Sequence, residues 1–146
     1  MLFVTLPFLL ALWEYNLINI VERMSVEKKN AYIGVDLGGT NMRAGRIVGD
    51  RLVAQGSAPT PKDAADCEET LEALIEVIRS VWDESVVAIG IGVPSVVDRE
   101  KGIVYNVVNI PHWEEVHLKE ILEACFSVPV YVDNDCLLYT SDAADE

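Results

Sequence analysis

The stretch that most constrains how this chain can fold is the octet GVDLGGTN at residues 34–41. An apolar run at residues 32–35 arrives at Asp36, a glycine pair turns the chain, and a second run begins. This pattern is typical of a strand followed by a tight turn. A plain β-hairpin turn is one interpretation, because Gly-Gly is common in hairpins. A hairpin alone does not account for the aspartate before the glycines or for the Thr-Asn pair after them.

The same residues fit a phosphate-binding loop. Gly38 and Gly39 lack a Cβ, so we expect their backbone to reach left-handed angles and to approach a ligand closely. Successive N–H groups in such a turn bind anions, and the hydroxyl of Thr40 supplies another donor. Asp36 is placed to hold a hydrated Mg²⁺ beside a polyphosphate. The octet lacks the Gly-Lys-Ser/Thr ending of a P-loop and the GxGxxG of a dinucleotide-binding turn.

The segment DLGGTN at residues 36–41 resembles the first phosphate loop of the ROK family of sugar kinases. The resemblance implies an α/β chain with the actin-like ATPase (ribonuclease H-like) fold. It implies an N-terminal domain with a mixed sheet, three initial antiparallel strands and flanking helices. A second domain would lie beyond this sequence. The cofactors implied are ATP, whose phosphates Gly38, Gly39, Thr40 and Asn41 would bind, and Mg²⁺, associated with Asp36.

Composition excludes several classes of partner. The 146 residues are enough for one domain with a real core, and the formal net charge is −13. That charge argues against binding nucleic acid or an anionic membrane by charge attraction. Cys67, Cys125 and Cys136 are scattered without C-x-x-C spacing, which indicates a reducing compartment and no zinc site in this chain. We therefore expect a cytoplasmic protein with neither nucleic-acid nor membrane partners.

The N-terminal segment divides at Met24. Residues 1–13 are apolar and uncharged, but no Lys or Arg precedes the run and no small-x-small cleavage site follows it, which disfavours a signal peptide. The run is also shorter than the about 20 residues that a membrane helix needs. Residues 24–30 read like a natural, polar cytoplasmic start. We interpret residues 1–23 as a translated upstream extension, with a membrane anchor as the alternative.

The C-terminal segment CLLYTSDAADE, residues 136–146, looks like the conceptual translation of a transposase adapter used in sequencing libraries. An ordinary acidic tail is the alternative. On the adapter interpretation the kinase domain spans residues 24–135, and the chain is a gene fragment that stops at Asp135.

Strand and helix patterns follow one another along the rest of the chain. Alternating or continuous apolar runs predict strands at residues 31–36, 42–48, 52–57, 86–93, 103–105 and 128–132. Apolar residues at helical spacing predict helices at residues 71–82 and 116–126. Asp66 and Glu69 form a plausible capping pair before the first helix.

The triplet Asp133-Asn134-Asp135 follows the last predicted strand. Because ligands of open α/β sheets bind beyond the carboxyl ends of strands, we expect it to lie near the phosphate loop. Asn134-Asp135 resembles the Asn-Asp pair of ROK kinases, in which the aspartate is the catalytic base. Such a carboxylate accepts the proton of a sugar hydroxyl as its oxygen attacks the γ-phosphorus. The alternative is a solvated acidic strand end.

Two further segments resemble parts of the family's sugar pocket. GIGVPS at residues 90–95 resembles Gly-x-Gly-x-Pro-Gly, with Ser95 in place of the usual glycine, which leaves the local backbone shape open. Asn109-x-x-x-Trp113 resembles Asn-Leu-x-x-Trp, in which the asparagine contacts sugar hydroxyls and the tryptophan packs. The sugar site implied by the resemblance comprises Pro94, Ser95, Asn109, Asn134 and Asp135.

The resemblance implies an ATP-dependent hexose kinase, glucokinase-like, with fructose, N-acetylglucosamine and N-acetylmannosamine also open as substrates. It implies a homo-oligomeric full-length protein, with any structural zinc in the second domain, and an inactive 146-residue chain. One alternative is a sugar-responsive ROK transcriptional regulator, although residues 1–30 are too short and insufficiently basic for a DNA-binding domain. Another is a non-catalytic, actin-like nucleotide-binding domain.

Overall fold

The computed structural model describes residues 30–134, which form eight strands and two helices. In chain order the elements are β1 (Ala31–Leu37), β2 (Asn41–Val48), β3 (Arg51–Pro59), α1 (Cys67–Val81), β4 (Val86–Val93), β5 (Val96–Asp98), β6 (Ile103–Tyr105), β7 (Glu115–Val116), α2 (Leu118–Phe126) and β8 (Val130–Asn134). The interpretations of residues 1–23 and 136–146 concern segments outside the described residues, and so does the role of Asp135.

Five strands form a mixed sheet in the order β3-β2-β1-β4-β8. The antiparallel pairing of β1 with β2 and of β2 with β3 confirms the predicted succession of three antiparallel strands. β4 runs parallel to β1, and β8 runs parallel to β4. In this register Asp36 lies opposite Gly92, and Gly92 lies opposite Asp133. The carboxyl ends of β1, β4 and β8 therefore share one edge of the sheet.

The core lies on one face of this sheet. Burial alternates along β1, with Ala31, Ile33, Val35 and Leu37 buried and the residues between them exposed. α1 packs against β1, β2 and β3, and α2 packs against β6 and β8. Burying a large aliphatic side chain contributes about 1.5–3 kcal/mol, so the packing of the two helices stabilises the positions of the strand ends. Among residues 30–134, no helix is both long enough and apolar enough to span a bilayer.

α1 begins at the predicted capping pair. The carboxylate of Asp66 accepts the N–H of Glu69 at 3.0 Å, and the carboxylate of Glu69 accepts the N–H of Ala65 at 2.9 Å. Both bonds satisfy N–H groups near the start of the helix, where no helical carbonyl is available. The capping prediction is confirmed.

Two short strands depart from the prediction. β5 and β7 pair antiparallel with β6 to form a second, three-stranded sheet. Val116, predicted to be helical, belongs to β7, and α2 begins at Leu118. β8 begins at Val130 rather than at residue 128, after Ser127 takes a left-handed φ of 56° at the end of α2.

Candidate functional site

The turn after β1 is tied to the end of β3. The N–H of Gly38 donates to the carbonyl oxygen of Asn41 at 3.0 Å. Thr60, with 2% of its surface exposed, donates its N–H to the carbonyl of Thr40 at 2.9 Å. Its hydroxyl donates to the carbonyl of Gly38 at 2.7 Å. Three carbonyl oxygens of the turn are thus hydrogen-bonded to the protein itself, and carbonyl oxygens are the groups that would repel a phosphate.

Close packing explains the two glycines of this turn. Gly49 and Gly102 are the glycines with positive φ in the described part of the chain, so the expectation of left-handed angles at Gly38 and Gly39 is wrong. A Cβ at residue 38 would lie 2.8 Å from the carbonyl oxygen of Asn41. A Cβ at residue 39 would lie 2.9 Å from the Cβ of Asn109. Glycine is required because the turn approaches other parts of the protein too closely for a side chain.

The segment around Asn109 forms the second wall of the site. Asn109 has a φ of 69°, a left-handed conformation that asparagine tolerates better than most residues. Hydrogen bonds hold the segment closed, since the N–H of Val107 donates to the carbonyl of Trp113 at 3.0 Å. Trp113 is 1% exposed, which confirms the prediction that it packs in the core. The structure brings this segment against the turn after β1, where Asn109 lies next to Gly39.

A cleft of about 600 Å³ lies between these two walls. Its lining residues are Gly39, Thr40, Lys62, Asn109, Ile110 and Pro111. The volume lies within the range of about 300–1,000 Å³ typical of small-molecule sites. Lys62 is the residue that sequence reasoning missed. No pattern in the sequence marks it, because its place in the cleft depends on hydrogen bonds from the loop between β3 and α1 to segments distant in the chain.

A second group joins the ends of β4 and β8. The side-chain amide of Asn134 donates to the carbonyl oxygen of Ser95, and the N–H of Asn134 donates to the carboxylate of Asp133 at 2.7 Å. The same carboxylate forms an ion pair with Arg99 at 2.8 Å. Ser95 is 9% exposed and its hydroxyl donates to the carbonyl of Tyr105. Serine fits where the family has glycine because φ is not positive there.

The remaining predicted residues lie apart from the cleft. Asp36 is exposed on the uncovered face of the sheet, opposite Arg43 in the register, and lines a separate cleft of about 390 Å³. Pro94 is exposed, and Asn41 is exposed at the first position of β2. Within residues 30–134, no group of three His, Cys, Asp or Glu side chains is arranged to hold a metal ion.

Residues 32–142 match the sequence model of the ROK family. This chain belongs to the ROK family. Its fold is accordingly the predicted actin-like ATPase fold.

Individual relatives include kinases and a regulator. The chain is 36% identical over 109 residues to a glucokinase of Streptomyces coelicolor, covering 70% of this chain and 32% of that protein. It is 32% identical over 111 residues to the xylose repressor of Caldicellulosiruptor bescii, covering 70% and 27% of the two chains.

A crystal structure of a ROK glucokinase from Streptomyces griseus, in complex with glucose and AMPPNP, superposes with a TM-score of 0.63 at 31% identity. The match covers 73% of this chain and 33% of that one. The chain thus spans about a third of the length of the two glucokinases.

Proposed function

We propose that this chain contributes the N-terminal domain of an ATP-dependent hexose kinase, with glucose as the first candidate substrate. The observation that carries the proposal is the packing of the turn at Gly39 against Asn109, with a cleft of about 600 Å³ between them. Phosphoryl transfer to a sugar needs a phosphate loop and a hydroxyl-binding group side by side, because most of the catalysis is positioning. The identity to a Streptomyces coelicolor glucokinase supports the same activity.

On this proposal Gly38, Gly39, Thr40 and Asn41 bind the phosphates of ATP. The hydrogen-bonded carbonyls of the turn support that role, because a carbonyl oxygen that already accepts a hydrogen bond repels an anion less strongly. Asp36 is associated with Mg²⁺. One carboxylate suits this ion, which is held by one or two carboxylates together with phosphate oxygens rather than by a complete protein cage. When bound, Mg²⁺ neutralises charge that develops on the phosphates.

On the sugar side, Pro94, Ser95, Asn109 and Asn134 form the pocket, and Asp135 is the proposed catalytic base. The carboxylate of Asp135 takes the proton of one sugar hydroxyl, whose oxygen forms the new bond to the γ-phosphorus. The bond from that phosphorus to the bridging oxygen breaks, and ADP leaves. The hydrogen bond from Asn134 to Ser95 supports this arrangement because it fixes the strand end that leads directly to Asp135.

A ROK sugar-responsive regulator is the second candidate, supported by the 32% identity to a xylose repressor. Such a protein would bind sugar in the same pocket without transferring phosphate. The net charge of −13 disfavours direct contact with DNA by this part of the chain. For either function we propose a cytoplasmic, homo-oligomeric full-length protein, with any structural zinc in its second domain.

Amide NMR spectra of the 146-residue chain would test the two half-sites separately. Glucose should shift the signals of Gly39 and Asn109, Mg²⁺-AMPPNP should shift those of the turn after β1, and xylose serves as the comparison for the regulator. Asp36→Asn should weaken nucleotide binding in the presence of Mg²⁺ and leave glucose binding unchanged. Absence of shifts in both loops would refute the proposed site.

Activity would be measured on a protein that includes the second domain. There, Asp135→Asn should bind glucose normally and lose phosphoryl transfer. A variant that kept its rate would remove Asp135 as the base, and sugar binding without any transfer in the unaltered protein would favour the regulator.

A further inference from the structure

One charged side chain lines the cleft between the turn after β1 and the Asn109 segment. Lys62 is the charged member of a lining that is otherwise glycine, threonine, asparagine, isoleucine and proline. Within residues 30–134 no carboxylate lies within ion-pair distance of it. Lys62 is exposed, and its positive charge beside the turn after β1 is complementary to an anionic ligand.

The loop that carries this lysine is anchored to the first wall of the cleft. Thr60, two residues before Lys62, is 2% exposed and hydrogen-bonds to the carbonyls of both Gly38 and Thr40. Pro61 restricts the backbone angle between the anchor and the lysine. The base of the Lys62 side chain therefore has a defined position relative to the turn.

The same loop is anchored to the second wall. Ala64, two residues after Lys62, is 5% exposed, and its carbonyl oxygen lies 3.1 Å from Nε2 of His112, which donates to it. His112 belongs to the segment that contains Asn109 and has a left-handed φ of 65°. Lys62 thus lies between two residues that each contact a different wall, so the base of its side chain is held at the cleft.

We propose that Lys62 binds a phosphate group in this cleft. Its ammonium group would contact a non-bridging oxygen, either of the terminal phosphate of the donor or of the phosphate carried by the product sugar. An ammonium group offers three donors and a full charge, which suits a phosphate and is not needed for neutral hydroxyls. The inference rests on the proposed function, because it takes the cleft to be the place of phosphoryl transfer.

The test compares Lys62→Gln with Lys101→Gln in the 146-residue chain. Lys101 is a matched control because it is an exposed lysine in the turn between β5 and β6, outside the cleft, and forms no ion pair with a residue of the described range 30–134. Amide NMR titrations would use glucose, pyrophosphate as the donor-like probe, and glucose 6-phosphate as the product-like probe. Lys62→Gln should lower the affinity for at least one phosphate probe by about fivefold, which is the effect of losing one exposed charge pair.

The arms of the titration identify the source of the phosphate. If Lys62→Gln weakens the binding of pyrophosphate alone, Lys62 contacts the phosphate of the donor. If it weakens the binding of glucose 6-phosphate alone, Lys62 contacts the phosphate of the product. Glucose affinity should be equal in all three proteins, and the difference should shrink at high salt because screening weakens an exposed pair.

Two results would overturn the inference while leaving the proposed function standing. One is an equal loss in both lysine variants, which would be an effect of net charge. The other is unchanged phosphate affinity in Lys62→Gln while the signals of Gly39 and Asn109 still respond to ligand. If no probe shifted those signals even in the unaltered chain, the proposed function and this inference would fall together.

Discussion

Replacing Gly39 with alanine should force apart the two segments that form the cleft. The added Cβ would lie 2.9 Å from the Cβ of Asn109 and 3.6 Å from its amide nitrogen. Carbon atoms in favourable contact are separated by about 3.5–4.0 Å, so the overlap is about 0.6–1.1 Å. Asn109 cannot withdraw easily, because it has a φ of 69° and the neighbouring N–H of Ile110 is bonded to Val107.

Two opposing effects set the size of the change. Overpacking of this kind costs about 1–3 kcal/mol. Replacing a glycine with alanine also restricts the unfolded chain, which returns about 0.4–1 kcal/mol. Because Gly39 is half-buried and its neighbour is a loop, we place the overpacking cost in the lower part of its range. The net expectation is a loss of about 1 kcal/mol in the free energy of unfolding.

Urea denaturation followed by circular dichroism would measure this change, with Gly34→Ala as the matched control. Gly34 lies in β1 on the uncovered face, and a Cβ built there meets nothing within 4 Å. That variant should be as stable as the unaltered chain or more stable by up to about 1 kcal/mol. If Gly39→Ala matched Gly34→Ala in stability at an unchanged m-value, the close contact with Asn109 would not be a constraint on the fold.

Three further changes test separate features. Thr60→Val should lower the free energy of unfolding by about 1–2 kcal/mol, since the carbonyl of Gly38 in the turn after β1 loses its 2.7 Å donor; an unchanged urea midpoint would contradict this. A hydrogen bond from Ser85 lowers the pKa of Asp83 below its ordinary value. The stabilisation it gives is therefore fully present above the unfolded-state pKa and is lost as pH falls through the folded-state pKa. Ser85→Ala should therefore flatten the acid part of a stability-against-pH curve, and superimposable curves would refute the link. Burial, and after it the charge of nearby carboxylates, raises the pKa of the Cys67 thiol. Peptide mapping at pH 8 should therefore find slower alkylation at Cys67 than at the exposed Cys125, and equal rates at the two thiols would contradict this prediction.

The strands with a burial pattern of their own are predictable from the sequence. β1 alternates between core and exposed face, and β4 is a nearly continuous apolar run, so each carries its own signal. β7 has two residues, too few for any period to show. β5 has three residues and ends in the charged Asp98, whereas β6, of the same length, lacks a charged residue. β5 and β7 exist because β6 offers hydrogen-bonding partners on both sides, which is a tertiary effect.

The candidate site divides in the same way. The contact of Gly39 with Asn109 follows from motifs whose order and strand-end positions are visible in the sequence. The reason why residue 39 is a glycine cannot be predicted from the sequence, because a left-handed φ and the steric exclusion of a side chain both select glycine. Lys62 could not be predicted, since its place in the cleft depends on Thr60 and Ala64 each reaching a different wall through contacts distant in sequence.

The structure separates Asp36, the proposed Mg²⁺ ligand, from Asn109, one of the proposed sugar ligands. Asp36 lies on the uncovered face between Arg43 and Gly92, whereas Asn109 lies beyond the strand ends, against Gly39. A polyphosphate that reached both would have to cross the turn after β1, where side chains at residues 38 and 39 are excluded by close packing. The carbonyl oxygen of Asn41 excludes a side chain at residue 38, and Asn109 excludes one at residue 39. On the proposed function, the absence of both side chains also leaves the path of the phosphates open.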